Sequence, residues 1–93
     1  MLSEQNTMDS KAVREIYMKE FSKNLNKLRE EKFKTYHKVA TNSSFDTSNY
    51  SKYENGHGNP TIETILKIAS LLEINPKELF DFDFDINKHK IDM

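Results

Sequence analysis

Apolar side chains recur every three or four residues along two long stretches of this chain, and that spacing is typical of amphipathic helices. The first stretch predicts a helix that begins near Ser10 and runs to about Lys32. No Pro or Gly interrupts it, so it is either one long helix or two abutting helices. The second stretch predicts a helix that opens at Thr61, with Glu63 in its first turn. The apolar positions are Val13, Ile16, Tyr17, Phe21, Leu25 and Leu28 in the first stretch, and Ile62, Ile65, Leu66, Ile68, Ala69 and Leu72 in the second.

Two shorter helices between these stretches are indicated by their capping residues. Thr35 is a suitable N-cap for a helix of barely two turns, and residues 42–44, Asn-Ser-Ser, are typical of a turn. Asp46 is a suitable N-cap for a further helix over residues 47–54. The Asn-Gly pair at residues 55–56 is a typical end for that helix.

The sequence after residue 74 predicts a fifth short helix and then a strand-like segment. Residues 75–78, Asn-Pro-Lys-Glu, supply an N-cap, a proline at the first helical position and a glutamate at the third. From Phe80 to Ile86, large apolar residues alternate with aspartates, which is the period of a β-strand. The sequence therefore predicts an all-α fold of five helices with a possible short C-terminal β-strand. Residues 87–93 are expected to be disordered.

The composition excludes several classes of protein. The chain has 93 residues and no cysteine, so disulfides and thiolate zinc sites are excluded. No segment approaches the roughly 20 apolar residues of a membrane span, and the N-terminus lacks the features of a secretory signal. A cytoplasmic location is therefore expected.

The net charge of −1 hides an uneven distribution along the chain. Residues 19–67 contain nine Lys or Arg against six Asp or Glu, whereas residues 68–93 contain three against six. A basic body could face phosphates while the acidic end points away from them. Ordinary solvated surfaces would give the same counts, so charge alone does not decide between the two interpretations.

The predicted arrangement of residues 35–55, two short helices joined by a turn, is the layout of a helix-turn-helix. Its residue pattern resembles the Cro and phage-repressor class, also called the xenobiotic-response-element family. Val39, Tyr50 and Tyr53 stand at that family's core-facing positions, and Ala40 stands where its two helices cross. About sixty of the 93 residues align with the family without a gap. The other similar strings are FSKNLNKLREEK (residues 21–32), YSKYENG (50–56), NPTIETILKIASLL (59–72) and INPKELF (74–80).

This resemblance implies a five-helix, lambda-repressor-like DNA-binding domain with an extended N-terminal helix. We expect residues 1–9 to be a disordered N-terminus and residues 10–80 to form the helix-turn-helix domain, with its motif at 35–55. Residues 81–93 would be an acidic tail that could serve as a dimerisation strand.

Residues 47–54, if helical, would present polar side chains on the face opposite Tyr50 and Tyr53. Short polar side chains with one long cation suit the major groove of DNA, where Ser and Thr contact several base edges and Lys reaches guanine. The resemblance implies that this helix reads bases. The expected base contacts are Thr47, Ser48, Asn49, Ser51 and Lys52. The alternative interpretation is the solvated surface of a structural helix.

Two further residues match positions from which members of the family hold phosphate. They are Asn55, at the end of the recognition helix, and Tyr36, at the start of the preceding helix. Tyr36 replaces the family's frequent Gln, but a tyrosine hydroxyl can still donate a hydrogen bond to a phosphate.

The resemblance implies a sequence-specific, double-stranded DNA-binding transcriptional regulator, a repressor that acts as a homodimer on a palindromic operator. The alternative is a protein-interaction module, such as an antirepressor or an antitoxin subunit, that keeps the helix-turn-helix fold. The sequence determines neither the operator nor the regulated genes.

No residue pattern indicates an enzyme, a metal site, a cofactor or a small-molecule ligand. His37, His57 and His89 lack the spacing that would place two ligands on one helix face. The alternating aspartates of the tail lack the glycine and the terminal glutamate of a calcium loop.

Overall fold

A computed structural model describes residues 7–32 and 47–93, and its regular elements are helical. The α-helices among these residues are α1 (Ser10–Lys32), α2 (Thr47–Glu54) and α3 (Ile62–Leu72). Two short 3₁₀ helices follow, Pro76–Phe80 and Ile86–Lys88. The first predicted helix is therefore one continuous helix of 23 residues. None of the helices in the described ranges is long and apolar enough to cross a membrane.

Local capping chemistry explains where these helices begin and end. The Thr61 hydroxyl accepts a hydrogen bond from the Thr64 amide at 3.1 Å, which confirms the predicted N-cap of α3. At the end of α2, Gly56 has a φ of +80°, and the amide of His57 donates to the Lys52 carbonyl at 3.0 Å. This left-handed glycine turn confirms the predicted stop. The predicted helix that Thr35 would open, the turn at 42–44 and the Asp46 cap lie outside the described residues.

The prediction of five α-helices is wrong at the C-terminal end of the fold, where the fifth predicted helix is not an α-helix. Pro76–Phe80 is a 3₁₀ helix, although Asn75 and Glu78 form the predicted capping box. The segment has only five residues, and hydrogen bonds from the Glu78 amide to Asn75 and from the Asp81 amide to Glu78 close its tight turns. Five residues are too few to propagate an α-helix beyond its costly first turn.

The predicted C-terminal β-strand is also wrong. Within residues 7–32 and 47–93 no strand forms, and the pairing of Met8 with Ile91 is an isolated parallel bridge. Phe82 and Phe84 pack instead against Tyr17 of α1, at ring-centroid distances of 5.0 and 4.8 Å. A helix presents side chains but no free backbone groups with which a strand could pair, and aspartate has a low strand propensity. The alternating phenylalanines therefore make aromatic contacts with α1 but form no β-sheet hydrogen bonds.

The end of the chain, expected to be disordered, has defined hydrogen bonds. The Met8 amide donates to the Lys90 carbonyl at 2.7 Å, and the Asp92 amide donates to the Met8 carbonyl at 2.8 Å. Asp85 caps the 3₁₀ helix Ile86–Lys88 by accepting from the Asn87 amide. The two ends of the described chain therefore meet beside the first half of α1.

The core lies where the second half of α1 meets α2, α3 and the 3₁₀ helix Pro76–Phe80. Fully burying each of its aliphatic side chains contributes roughly 1.5–3 kcal/mol, and the two tyrosines of α2 add large apolar rings. The buried cluster comprises Met18, Phe21, Leu25, Tyr50, Tyr53, Ile65, Ile68, Ala69, Leu72 and Leu79. This packing leaves the opposite face of α2 toward solvent.

Candidate nucleic-acid interface

Helix α2 divides into a buried aromatic face and an exposed polar face. Tyr50 and Tyr53 are only 1% and 7% exposed, because both rings enter the core. Asn49 and Lys52 are exposed, and Ser51 is partly exposed. The segregation expected from the sequence is therefore present in the structure. Whether these residues contact bases stays a prediction.

The remaining candidate contacts are described to different extents. Thr47 and Ser48 belong to the first turn of α2, but the described structure does not include their side chains. Asn55 follows the helix and is exposed, with its amide 3.4 Å from the Ser51 hydroxyl. That distance is long for a hydrogen bond, so the contact is weak. Tyr36 lies outside the described residues.

The side chain of Lys52 leans toward the loop that follows α2. Its ammonium lies 5.6 Å from the centroid of the Tyr53 ring, a cation–π contact. The loop glycine Gly58 makes room for both side chains. A Cβ atom added there would lie 3.0 Å from Tyr53 Cε1 and 3.2 Å from Lys52 Cε. The Lys52 stem is therefore held by its neighbours while its charged end stays in solvent.

A buried ion pair fixes the end of α2 to α1. The Arg29 guanidinium donates to both oxygens of the Glu54 carboxylate, from Nε at 2.7 Å and from Nη2 at 3.0 Å. The two side chains are only 10% and 7% exposed. Two parallel hydrogen bonds fix orientation as well as distance, so this pair determines how α2 is set against α1.

Neighbouring polar groups complete this anchor. The Asn26 amide donates to the Glu54 carbonyl at 3.0 Å, and its oxygen accepts from Arg29 at 3.1 Å. The hydrogen bond to Glu54 raises the pKa of the Arg29 guanidinium, while burial opposes that shift. Burial raises the pKa of the Tyr50 hydroxyl, and the Glu54 carboxylate raises it further. Both groups therefore keep their protonated forms at neutral pH.

The profile of the helix-turn-helix domain family, described as "Helix-turn-helix domain", matches residues 22–81. The chain belongs to the helix-turn-helix domain family. The match contains α2, α3 and the second half of α1, and it supports the resemblance to the Cro and phage-repressor class.

One curated relative is similar to part of this helix-turn-helix protein. It is the cryptic phage CTXphi transcriptional repressor RstR of Vibrio cholerae serotype O1 (strain ATCC 39315 / El Tor Inaba N16961). The two chains are 44% identical over 46 residues, which cover 50% of this chain and 41% of the relative. The chain therefore covers less than half of that relative's length. No solved structure matches the chain significantly.

The residues that anchor α2 in this helix-turn-helix domain were not among the candidates predicted from the sequence. Arg29 and Glu54 are 25 positions apart, and nothing local links them. A signal was nevertheless present. Arg29 stands four residues after Leu25 on the apolar face of α1, and Glu54 stands four residues after Tyr50 on the buried face of α2. Opposite charges on two core-facing stripes indicate a buried pair.

Residues 7–32 and 47–93 contain no group of three His, Asp or Glu side chains that could hold a metal ion. The exposed face of α2 instead offers amide, hydroxyl and ammonium groups, which are the donors and acceptors that read base edges.

Proposed function

We propose that this chain is a sequence-specific, double-stranded DNA-binding transcriptional regulator, a repressor of the Cro type that acts in the cytoplasm by occupying its operator and not by catalysis. Its membership of the helix-turn-helix domain family supports DNA binding. The name of the similar phage protein, a transcriptional repressor, supports the direction of regulation.

The observation that carries this proposal is a polar helix face held rigidly by a buried anchor. Asn49 and Lys52 are exposed on α2, while the Arg29–Glu54 pair fixes the other side of the helix. A reader of bases must hold its side chains in register, because each hydrogen bond to a base edge depends on position. In the proposed complex, α2 lies in the major groove.

Within that complex we assign the direct reading of bases to five residues of α2: Thr47, Ser48, Asn49, Ser51 and Lys52. Lys52 carries the long cation that suits the O6 and N7 acceptors of guanine. Asn55 and Tyr36 hold phosphates on either side and set the register of the helix on the duplex.

A homodimer on a palindromic operator completes the proposal. A single helix of eight residues reads few base pairs, and a twofold dimer doubles the site. The two recognition helices would then enter successive major grooves, and the half-sites would lie about 34 Å apart.

The decisive experiment is selection of bound sequences from random duplexes, followed by comparison of two lysine variants. Lys52→Ala should weaken binding to the selected operator by about 1–3 kcal/mol and relax the choice of one base pair. The matched control is Lys11→Ala, also an exposed lysine. Lys19 of α1 contacts Gly56 at the end of α2. Lys11 lies eight residues before Lys19, so it is about 12 Å further from α2 along the axis of α1.

Two outcomes would contradict this assignment. Equal losses for Lys52→Ala on the operator and on random DNA would show that Lys52 contacts only phosphate. Failure of the selection to enrich any sequence would count against DNA reading altogether. A module that binds another protein would also show little affinity for any duplex at moderate salt, whereas a DNA binder's affinity falls steeply as salt rises.

A further inference from the structure

The side chain of Lys52 lies in a defined place although it is exposed. A lysine stem is long and flexible, so its ammonium on a bare helix surface can point in many directions. Here the stem runs past the loop glycine Gly58, and the ammonium lies 5.6 Å from the centroid of the Tyr53 ring. The other residues assigned to the reading of bases have short side chains. Lys52 is therefore the reader whose reach depends most on its conformation.

The space that the Lys52 stem uses is the space that a side chain at residue 58 would need. A Cβ atom added to Gly58 would lie 3.2 Å from Lys52 Cε and 3.3 Å from Lys52 Cδ. Carbon atoms that are not bonded attract best at about 3.5–4.0 Å, so both contacts would be too close. Any residue other than glycine at this position therefore competes with Lys52.

The opposite wall of this space is held by the core. The same Cβ atom would lie 3.0 Å from Tyr53 Cε1. The Tyr53 ring is only 7% exposed and belongs to the buried cluster, so moving it would disturb close packing. The start of the loop is also fixed, because the His57 amide donates to the Lys52 carbonyl at 3.0 Å. The flexible lysine stem is therefore the group that a side chain at residue 58 would displace.

We propose that Gly58 is a positioning residue that determines the base specificity of Lys52. Because Gly58 has no side chain, the Lys52 stem stays against the Tyr53 ring, and its ammonium approaches the duplex from one direction. A stem that is already held loses less rotamer freedom on binding, and it brings fewer base edges within reach of the ammonium. Gly58 itself contacts no base. This inference rests on the proposed reading of DNA by Lys52 and names the residue that sets its selectivity.

Two glycine variants separate displacement of Lys52 from backbone strain. Gly58 and Gly56 both have left-handed φ angles, +89° and +80°, so alanine is strained at either position. At Gly56, however, an added Cβ would lie 3.4 Å from Ser22 Oγ and 3.5 Å from Lys19 Cα, and its three nearest atoms all belong to these two residues of α1. Gly56→Ala is therefore the matched control for Gly58→Ala.

The measurement is the ratio of two dissociation constants. One duplex carries the operator enriched by selection, and in the other the base pair whose choice Lys52→Ala relaxes has been replaced. Gly58→Ala should lower this ratio at least about threefold, toward the value for Lys52→Ala, whereas Gly56→Ala should leave it unchanged. The fraction of folded protein is the same for both duplexes and cancels from the ratio, so a loss of stability cannot imitate this result.

A double variant shows whether Gly58 acts through Lys52. Without the lysine there is no stem to displace, so in a Lys52→Ala background Gly58→Ala should weaken operator binding no more than Gly56→Ala does. An additional loss there would show that residue 58 acts on DNA directly, and the proposal would be wrong.

The outcomes also separate this inference from the proposed function. An unchanged ratio for Gly58→Ala, together with a relaxed base pair for Lys52→Ala, would overturn the role of Gly58 and leave the reading of DNA by Lys52 in place. Enrichment of no sequence in the selection would overturn both.

Nuclear magnetic resonance tests the displacement without DNA. Nuclear Overhauser effects should connect the Lys52 methylenes with Gly58 and with the Tyr53 ring in the unaltered chain. Gly56→Ala should keep the contacts with the ring, and Gly58→Ala should lose them. If Gly58→Ala keeps them, Lys52 has not moved and the proposal fails.

Circular dichroism melts verify that each variant is folded. Should Gly58→Ala fail to fold, Gly58→Asn carries the same Cβ atom with less backbone strain, because asparagine tolerates the left-handed conformation better than alanine. Gly58→Asn should lose the same contacts between Lys52 and the Tyr53 ring and lower the same ratio, with Gly56→Asn as its control. Retention of both the contacts and the ratio would overturn the proposal.

Discussion

The two halves of α1 are held by different kinds of contact. The second half packs on α2 through the apolar core and adds buried polar contacts around Arg29 and Glu54. The first half meets the tail through aromatic contacts of Tyr17 with Phe82 and Phe84, beside an open groove. Both halves belong to one continuous helix, so the difference arises from the partner and not from the helix itself.

The polar contacts specify one arrangement, whereas the aromatic contacts tolerate several. Bidentate hydrogen bonds between Arg29 and Glu54 require a fixed distance and angle. Aromatic rings attract over a range of offsets and tilts, and those around Tyr17 are tilted by 49° and 78°. The end of α1 that positions α2 is therefore the more strictly defined end.

The largest expected effect comes from removing one partner of the buried ion pair. Glu54→Ala should lower the free energy of unfolding by about 3–5 kcal/mol, because the Arg29 charge is left buried without a counter-ion. Urea unfolding measures this loss. The control is Lys32→Ala, which removes the exposed pair between Lys32 and Glu73 and should cost less than about 1 kcal/mol. Similar losses for the two variants would show that the buried pair does not dominate the α1–α2 contact.

A smaller effect is expected at the other end of α1. Phe82→Ala should lower the free energy of unfolding by about 1–3 kcal/mol, below the 3–5 kcal/mol of a fully buried Phe, because Phe82 is only partly buried. The exposed neighbour Asp81 provides the control, and Asp81→Ala should leave stability nearly unchanged. Half-site DNA binding by Phe82→Ala should be normal at temperatures where it is folded. A loss of half-site binding there would show that the two ends of α1 are coupled.

The features that could be predicted from the sequence are those that depend on residues close together in the chain. The bounds of α1, α2 and α3 follow from apolar spacing and from local caps such as Thr61 and Gly56, so they could be read directly. The capping box at Asn75 was also predicted, but a segment of five residues became a 3₁₀ helix.

The features that could not be predicted depend on contacts distant in sequence. Apolar residues and aspartates alternate around Phe82 in the same way whether this segment packs against a strand or a helix. In the structure it packs against Tyr17 of α1. The pairing of Arg29 with Glu54 was missed although both stand on core-facing stripes, because nothing local links residues 25 positions apart. On α2, the exposure of Lys52 and the burial of Tyr50 and Tyr53 followed from the helical period alone.

The ends of α2 and α3 offer a finer comparison, since both finish in a left-handed residue. Gly56 occupies this position after α2, packed near Lys19 of α1, where an added Cβ would lie 3.5 Å from the Lys19 Cα atom. Glu73 occupies it after α3 with a φ of +57°, and its amide donates to Ser70 at 3.2 Å. A non-glycine residue in this conformation costs about 1–2 kcal/mol.

The smallest expected effect tests whether the ion pair with Lys32 offsets that strain. Glu73→Gly removes the left-handed strain but also loses the 2.6 Å contact with Lys32, so we expect a net stabilisation of no more than about 1 kcal/mol. In a Lys32→Ala background the contact is already absent, and the gain from Glu73→Gly should be larger by the energy of the pair. Urea unfolding of the four chains completes this double-mutant cycle. If Glu73→Gly destabilises the Lys32→Ala chain, the backbone at residue 73 is not strained, and the two helix ends differ in packing alone.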